Sequence, residues 1–271
     1  MEIPFIKTSP TQNITVLVNA PVPRSEQPVL AARLLACDSV GGEQAGFIEP
    51  AALPGARLRL QMMGGEFCGN ATMSLGAWLA RQDGLPDGGC ASYVLEVSGT
   101  EGLTGCRIER SGDAYRGTVR MPLPEWITAV TLNTDAGPQA FPMVRMPGIA
   151  HIVAPTESGL TREEIARRIR SWNETIRADA LGVLRYDAVR EAIEPIVYVP
   201  ATDSAVWERG CGSGTAALGC WRALRDGQSI RIILRQPGGE IEVNAAVEDN
   251  AIVRLTITGT VRIVATGTAY L

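Results

Sequence analysis

Two segments of this chain are copies of each other. Residues 68–84 read CGNATMSLGAWLARQDG and residues 211–227 read CGSGTAALGCWRALRDG, a constant spacing of 143 residues. Nine of the seventeen aligned positions are identical (Cys, Gly, Thr, Leu, Gly, Trp, Ala, Asp and Gly), where coincidence between residues of ordinary abundance gives roughly one. The spacing is close to half of the 271 residues. The simplest architecture is therefore two homologous half-domains with the copied segment at the same place in each, related by a pseudo-twofold axis that pairs Cys68 with Cys211.

Within each half the hydrophobic pattern predicts a mixed α/β unit. The runs at 14–18, 57–62, 93–97, 196–199, 230–234, 241–247 and 253–257 alternate as strands do. The stretch 161–173, TREEIARRIRSWN, opens with a Thr-x-x-Glu capping box and has the spacing of an outer amphipathic helix. Residues 71–80 carry no charge and no polar face, the signature of a helix buried on all sides. The expected fold class is thus α/β (α+β): in each half, a mixed β-sheet wrapped around a buried central helix. Pro and Gly concentrate in MPLPEW and NTDAGPQ, which places the linker near 119–140. The expected boundaries are 1–119 for the N-terminal half-domain, joined by a C-terminal strand at 263–271, and 120–262 for the C-terminal half-domain.

Composition excludes several classes of partner. A net charge of −4 with no basic run disfavours nucleic acid and acidic membranes. The first residues, MEIPFIKTSPTQN, lack the basic and apolar regions of a secretory signal, and no apolar run approaches a membrane span, so a cytoplasmic protein is expected. Six cysteines at irregular spacing, without a CxxC pair, form neither a disulfide framework nor a zinc site. Cys37, Cys90, Cys106 and Cys220 read as ordinary packing residues; Cys220 is matched by Ala77 in the other copy.

Cys68 and Cys211 stand apart because each precedes a helix start. The first turn of a helix leaves N–H groups without intrahelical acceptors and carries about half a positive charge, which favours anions and thiolates. Gly69 and Gly212 let a ligand approach the backbone, and Asn70 and Ser213 continue the row of donors. Each half then offers an activated thiol and an anion cradle. If the two face each other across a cleft between the halves, one thiolate removes a proton from a tetrahedral carbon while the opposite thiol delivers one to the other face, and the stereocentre inverts. The cradles would hold an α-carboxylate as negative charge grows there. This scheme needs no cofactor and no metal.

The pairing of CGN in the first half with CGSGT in the second resembles the diaminopimelate epimerase family of cofactor-independent, two-cysteine amino-acid racemases, over essentially the whole chain. GEFCGNATMS, GGEQAGFIE, PIVYVP, the Trp-Glu before CGSGTA, QPGG and the ending ATGTAY, in this order, are similar to the histidine racemases of opine-type metallophore biosynthesis within that family. The resemblance implies the diaminopimelate-epimerase-like fold, with the active site in the cleft between its halves. It implies that Cys68 and Cys211 are the acid/base pair and that Gly69, Asn70, Gly212 and Ser213 hold the α-carboxylate. It implies further substrate contacts at Asn13, Gln44, His151, Glu208 and Arg209, with Glu208 on the amino group and His151 as an orienting or hydrogen-bonding group. An amino-acid substrate, histidine first, and a homodimer complete what it implies.

Two departures bear on the substrate. Glu208-Arg209-Gly210 runs directly into Cys211, without the intervening residues of the epimerases, and asparagines that would grip a second amino-acid head group are missing near His151. Arg209 stands where the histidine racemases carry a neutral residue, which favours a side chain with an acceptor or a carboxylate. Diaminopimelate epimerase and the proline or hydroxyproline type are the alternatives within the fold, although the latter carry Cys-Gly-His in the first motif. A thiol redox couple of Cys68 and Cys211, or a silent amino-acid-binding module, are the alternatives of another class.

Overall fold

The computed structural model describes residues Met1–Leu271. The chain divides into two compact units, one of Met1–Met121 with Ile257–Leu271 and one of Pro122–Thr256. In chain order the first contains β1 (Glu2–Pro10), β2 (Thr15–Val18), α1 (Gln27–Leu35), β3 (Gln44–Glu49), β4 (Arg59–Met62), α2 (Gly69–Gln82), β5 (Cys90–Val97), β6 (Leu103–Ser111) and β7 (Ala114–Arg120). The second contains β8 (Trp126–Thr134), β9 (Gly137–Met146), β10 (Ile149–Pro155), α3 (Arg162–Ile176), β11 (Leu181–Asp187), β12 (Ala192–Val199), β13 (Ser204–Trp207), α4 (Gly212–Asp226), β14 (Ile230–Gln236) and β15 (Gly239–Glu248). The last strand, β16 (Ala251–Tyr270), begins in the second unit and continues in the first from Ile257.

In the first unit the strands follow the order β1-β2-β3-β4-β5-β6-β7-β16, and β16 also pairs with β1, from Glu2↔Tyr270 to Pro10↔Val261. The sheet thereby returns on itself around α2, whose residues Gly69–Ala77 are all buried. Such a helix must be apolar on every side, which is why 71–80 lacks charge. Pairs β2/β3 and β4/β5 are parallel, and each is bridged by a helix, α1 and α2 respectively. The second unit repeats this scheme. Its order is β8-β9-β10-β11-β12-β14-β15, with β10/β11 and β12/β14 parallel and bridged by α3 and α4. No helix is long and apolar enough to cross a membrane.

The seven runs expected to be strands lie in β2, β4, β5, β12, β14, β15 and β16. Half of the capping box is present: Thr161 is the N-cap of α3 and its Oγ1 accepts from Glu164 N at 3.2 Å, while Glu164 Oε1 accepts from Asp135 N at 2.6 Å. Of the linker expected near 119–140, MPLPEW holds the boundary between the units, at Met121/Pro122, whereas NTDAGPQ does not belong to it. Beyond Pro122–Glu125 those residues form the β8/β9 hairpin, and NTDAGPQ is its turn, with Thr134 paired to Gly137. Pro and Gly there answer the needs of a tight turn rather than a domain boundary.

Apart from the cysteines, five of the nine duplicated residues share a packing or capping job in both copies, whereas Asp83, the C-cap of α2, pairs with Arg57 and Asp226 pairs with Arg225. Thr72 and Thr215 donate from Oγ1 to the carbonyls of Cys68 and Cys211, each at 2.7 Å. Gly76 and Gly219 let the helices touch the sheets: a Cβ there would lie 2.6 Å from Cys106 Sγ or 2.5 Å from a methyl of Val243. Leu75 and Leu218, Ala80 and Ala223 are buried. Gly84 (φ 69°) and Gly227 (φ 64°) take the left-handed conformation that ends each helix. What the duplication conserves within the chain is thus a way of seating a helix against a sheet.

Candidate active site

Both cysteines are helix N-caps with extended backbone, Cys68 at φ −132°, ψ 111° and Cys211 at φ −109°, ψ 104°. Each sulfur accepts one orphan first-turn N–H at 3.4 Å, from Ala71 in α2 and from Gly214 in α4. The segment around Cys68 is further organised by side chains from distant parts of the first unit. Cys68 Sγ donates to Gln44 Oε1 at 3.1 Å, and Gln44 Nε2 donates to Asn13 Oδ1 at 2.6 Å and Thr15 Oγ1 at 2.8 Å. Asn70 Nδ2 also donates to Asn13 Oδ1, at 3.1 Å. Asn13, between β1 and β2, is buried and is the hub of this network. Gln44 and Asn70 therefore come together with Cys68 around Asn13.

The network contains a residue that the sequence analysis missed. Glu43 Oε2 accepts from Asn13 Nδ2 at 2.7 Å and Oε1 accepts from Ile14 N at 3.4 Å. Its carboxylate sets the orientation of the Asn13 amide and, through it, of Gln44. Its only sequence signal is adjacency to Gln44 in GGEQAGF.

In the second unit, Cys211 is 3% exposed and is surrounded by Ser213, Glu208 and Gln236. Ser213 Oγ lies 3.6 Å from Cys211 Sγ and 3.0 Å from His151 Nε2. His151 has no exposed surface and reaches the site only through Ser213. Gln236 is the second missed residue: Oε1 accepts from Cys211 N at 2.7 Å and Nε2 donates to Thr215 Oγ1 at 2.7 Å. It is the first residue of QPGG, so its signal lay inside a recognised segment without a role attached. The same segment holds the preceding loop, because Gly238 N donates to Arg209 O at 2.7 Å and Arg209 Nη2 donates to Pro237 O at 3.3 Å.

The helix end at Cys211 does not make an activated thiol. Burial pushes the Cys211 thiol well above its ordinary range, and the neighbouring Glu208 carboxylate pushes it further; the Ser213 hydroxyl and the Gly214 N–H only partly oppose them. Desolvation of a thiolate outweighs half a helix-end charge. The expectation of a lowered pKa is thus overturned at Cys211, which is held as a thiol. Burial likewise drives the His151 imidazole down to about 3, so it is neutral at any working pH.

Glu208 and Arg209 border a small cavity of about 120 Å³, completed by Arg162, Glu194, Trp207 and Pro237. Arg162 lies over the Trp207 ring at 4.0 Å. A larger depression of about 670 Å³, lined by Arg57, Asp83, Tyr93 and neighbours, lies in the first unit at the C-terminal end of α2. That is the opposite end of the helix from Cys68, roughly 20 Å of helix away and remote from the thiol.

A scan against family models matches residues 2–270 to the family described as "Histidine racemase CntK N-terminal domain". The histidine racemase of Staphylococcus aureus is 31% identical over 275 residues, covering 99% of this chain and 98% of that protein. A histidine racemase of Fusobacterium nucleatum is 28% identical, covering 98% and 96%. Among solved structures, a hydroxyproline epimerase from Agrobacterium vitis superimposes with a TM-score of 0.74 at 14% identity, covering 100% of this chain and 93% of that one. A probable proline racemase from Agrobacterium radiobacter gives 0.72 at 16%, covering 99% and 93%. The structural likenesses carry the mixed α/β fold alone, whereas the sequence matches run end to end: this chain belongs to the histidine racemase family.

Proposed function

We propose that the chain interconverts the enantiomers of histidine by two-base proton transfer at Cα, with Cys68 and Cys211 as the acid/base pair. The observation that carries this is the repeated N-cap: two cysteines, each with a first-turn N–H on its sulfur and a threonine on its carbonyl, at the heads of two buried helices. One such cap serves packing; two serve a reaction that needs one proton carrier on each face of a carbon. On this reading each of the two units supplies one of the proton carriers.

In the form that begins this direction Cys211 is the thiol, for the burial and carboxylate reasons given above, and Cys68 is the thiolate, having given up the thiol proton that it otherwise donates to Gln44 Oε1. Cys68 takes the Cα proton and becomes a thiol, the electron pair passes onto the α-carboxylate, and Cys211 gives its proton to the opposite face and becomes the thiolate. The reverse direction begins from that second form. The first-turn N–H groups at Gly69 and Asn70, and at Gly212 and Ser213, stabilise the growing carboxylate charge. The substrate ammonium is assigned to Glu208, where its positive charge offsets the carboxylate that otherwise opposes the Cys211 thiolate. Arg209 suits histidine in its neutral form: an imidazole with a pKa near ~6.5 presents a lone pair at neutral pH that a guanidinium can donate to.

Incubation with L-histidine in D2O, without pyridoxal phosphate or added metal, is expected to yield D-histidine carrying deuterium at Cα. Meso-diaminopimelate and L-proline in the same panel are expected to remain unlabelled. Labelling of another amino acid but not histidine would refute the substrate; binding of histidine without exchange would refute the reaction. The homodimer that the family resemblance implies belongs to this proposal and is read by sedimentation velocity.

A further inference from the structure

Buried behind Ser213 is a histidine with one nitrogen unaccounted for. His151 stands on β10, opposite Gly182 of the parallel strand β11. A Cβ at Gly182 would lie 2.1 Å from His151 Nδ1, so the glycine is what leaves room for the ring. Nε2 faces Ser213 Oγ at 3.0 Å, while Nδ1 is buried with no hydrogen-bond partner. A neutral imidazole carries its proton on one nitrogen only. If that nitrogen were Nδ1, a buried N–H would be orphaned; if it is Nε2, only a lone pair is. Buried orphan N–H groups are the rarer and costlier of the two. The proton therefore sits on Nε2, and Nε2 donates to Ser213 Oγ.

That donation has a directional consequence. With its oxygen accepting from His151, the Ser213 hydroxyl is free to turn its own hydrogen toward Cys211 Sγ, 3.6 Å away. We propose that His151 is a positioning residue: it fixes the polarity of the Ser213 hydroxyl so that Ser213 donates to Cys211 when that sulfur becomes the thiolate. His151 does not exchange a proton in this arrangement; it remains the Nε2–H tautomer throughout, and only the Ser213–Cys211 hydrogen bond strengthens as charge arrives. The other groups acting on the sulfur are Glu208, which opposes the thiolate, and the Gly214 N–H, which already donates to it. Ser213 is the one donor whose direction can be set from outside, and His151 is what sets it. The inference rests on the reading of Cys211 as an acid/base residue.

The test compares His151→Leu, which fills the space without a donor, with His151→Gln, whose side-chain amide offers an N–H near the place of Nε2. The expected result is a loss in kcat/KM of about 10- to 100-fold for His151→Leu, the worth of a hydrogen bond to a charged group. The pH limb assigned to Cys211 should move upward, and His151→Gln should recover most of the loss. Ser213→Ala should match His151→Leu, and the double variant should be no worse than either. Equal losses for Leu and Gln, additive losses in the double variant, or an unmoved pH limb would each overturn the proposal in favour of simple space-filling. Full activity of Cys211→Ala would instead overturn the site reading beneath it, an outcome recognisable because the His151 variants would then have no Cys211 limb to shift.

Discussion

Cys68→Ala and Cys211→Ala are each expected to lower the rate of histidine racemisation by about 10³-fold or more, within the range that a positioned acid or base contributes. The folds should survive. Each cysteine is an N-cap whose sulfur accepts one weak hydrogen bond at 3.4 Å, and alanine there costs about 1 kcal/mol. The sharper expectation concerns exchange without inversion. A variant with one remaining thiol can still remove a proton from the face that thiol addresses and return deuterium to the same face. Cys211→Ala should therefore exchange the Cα proton of one enantiomer, and Cys68→Ala that of the other. The two should differ in speed, because burial and Glu208 hold Cys211 as the thiol and leave little thiolate to act as base. Proton NMR of each enantiomer in D2O, with circular dichroism to confirm folding, reads all of this. A single variant that exchanges both enantiomers, or one that inverts at the native rate, would rule out two-base transfer.

The cysteines were legible in the sequence because the duplication singles them out, and so was the buried α2, because a run without a polar face has nowhere else to go. The same duplication carried Thr72, Thr215, Gly76 and Gly219 in plain view, yet their duties depend on atoms of the strands and of the helix's own cap, which no spacing specifies. Strands β1, β3, β6 to β11 and β13 were not anticipated, and β1 and β9 show one reason why. Pro4 and Pro10 in β1 and Pro138 and Pro142 in β9 argue locally against sheet, and only pairing with neighbouring strands overrides them. The Asn13, Gln44 and Asn70 cluster draws on a turn, a strand and a helix far apart in sequence. It was reachable through family resemblance and not through any local rule, while Glu43 and Gln236 escaped because a supporting residue has no signature until its partner's position is known. The Cys211 titration failed for a related reason: a helix start can be read from sequence, but the depth of burial that outweighs it cannot.

Gly99→Ala is expected to be among the most damaging single changes available in the first unit. Gly99 follows Ser98 in the turn between β5 and β6 and has φ 74°, a region that costs a residue with a Cβ about 1–3 kcal/mol. Space forbids it as well. A Cβ would lie 2.2 Å from Phe67 N and 2.7 Å from Glu66 C, backbone atoms that cannot rotate away. The two effects together should cost about 4 kcal/mol, at the upper end of single substitutions, and lower Tm by roughly 10 °C or more. The consequence extends to Cys68, because this turn is what anchors the segment leading into it: Ser98 Oγ donates to Glu66 O at 2.7 Å and accepts from Met62 N at 2.9 Å. Any folded population should therefore also show reduced kcat, since misplacing a reacting group by about 1 Å can cost 10²-fold. Gly88→Ala is the matched control, with φ 72° and nothing within 4 Å of its Cβ, so it carries the conformational cost without the wall. If thermal melts place the two variants at the same Tm, the contact with Phe67 is not what holds the Cys68 segment, and the loop before α2 must be positioned by the Ser98 hydrogen bonds alone.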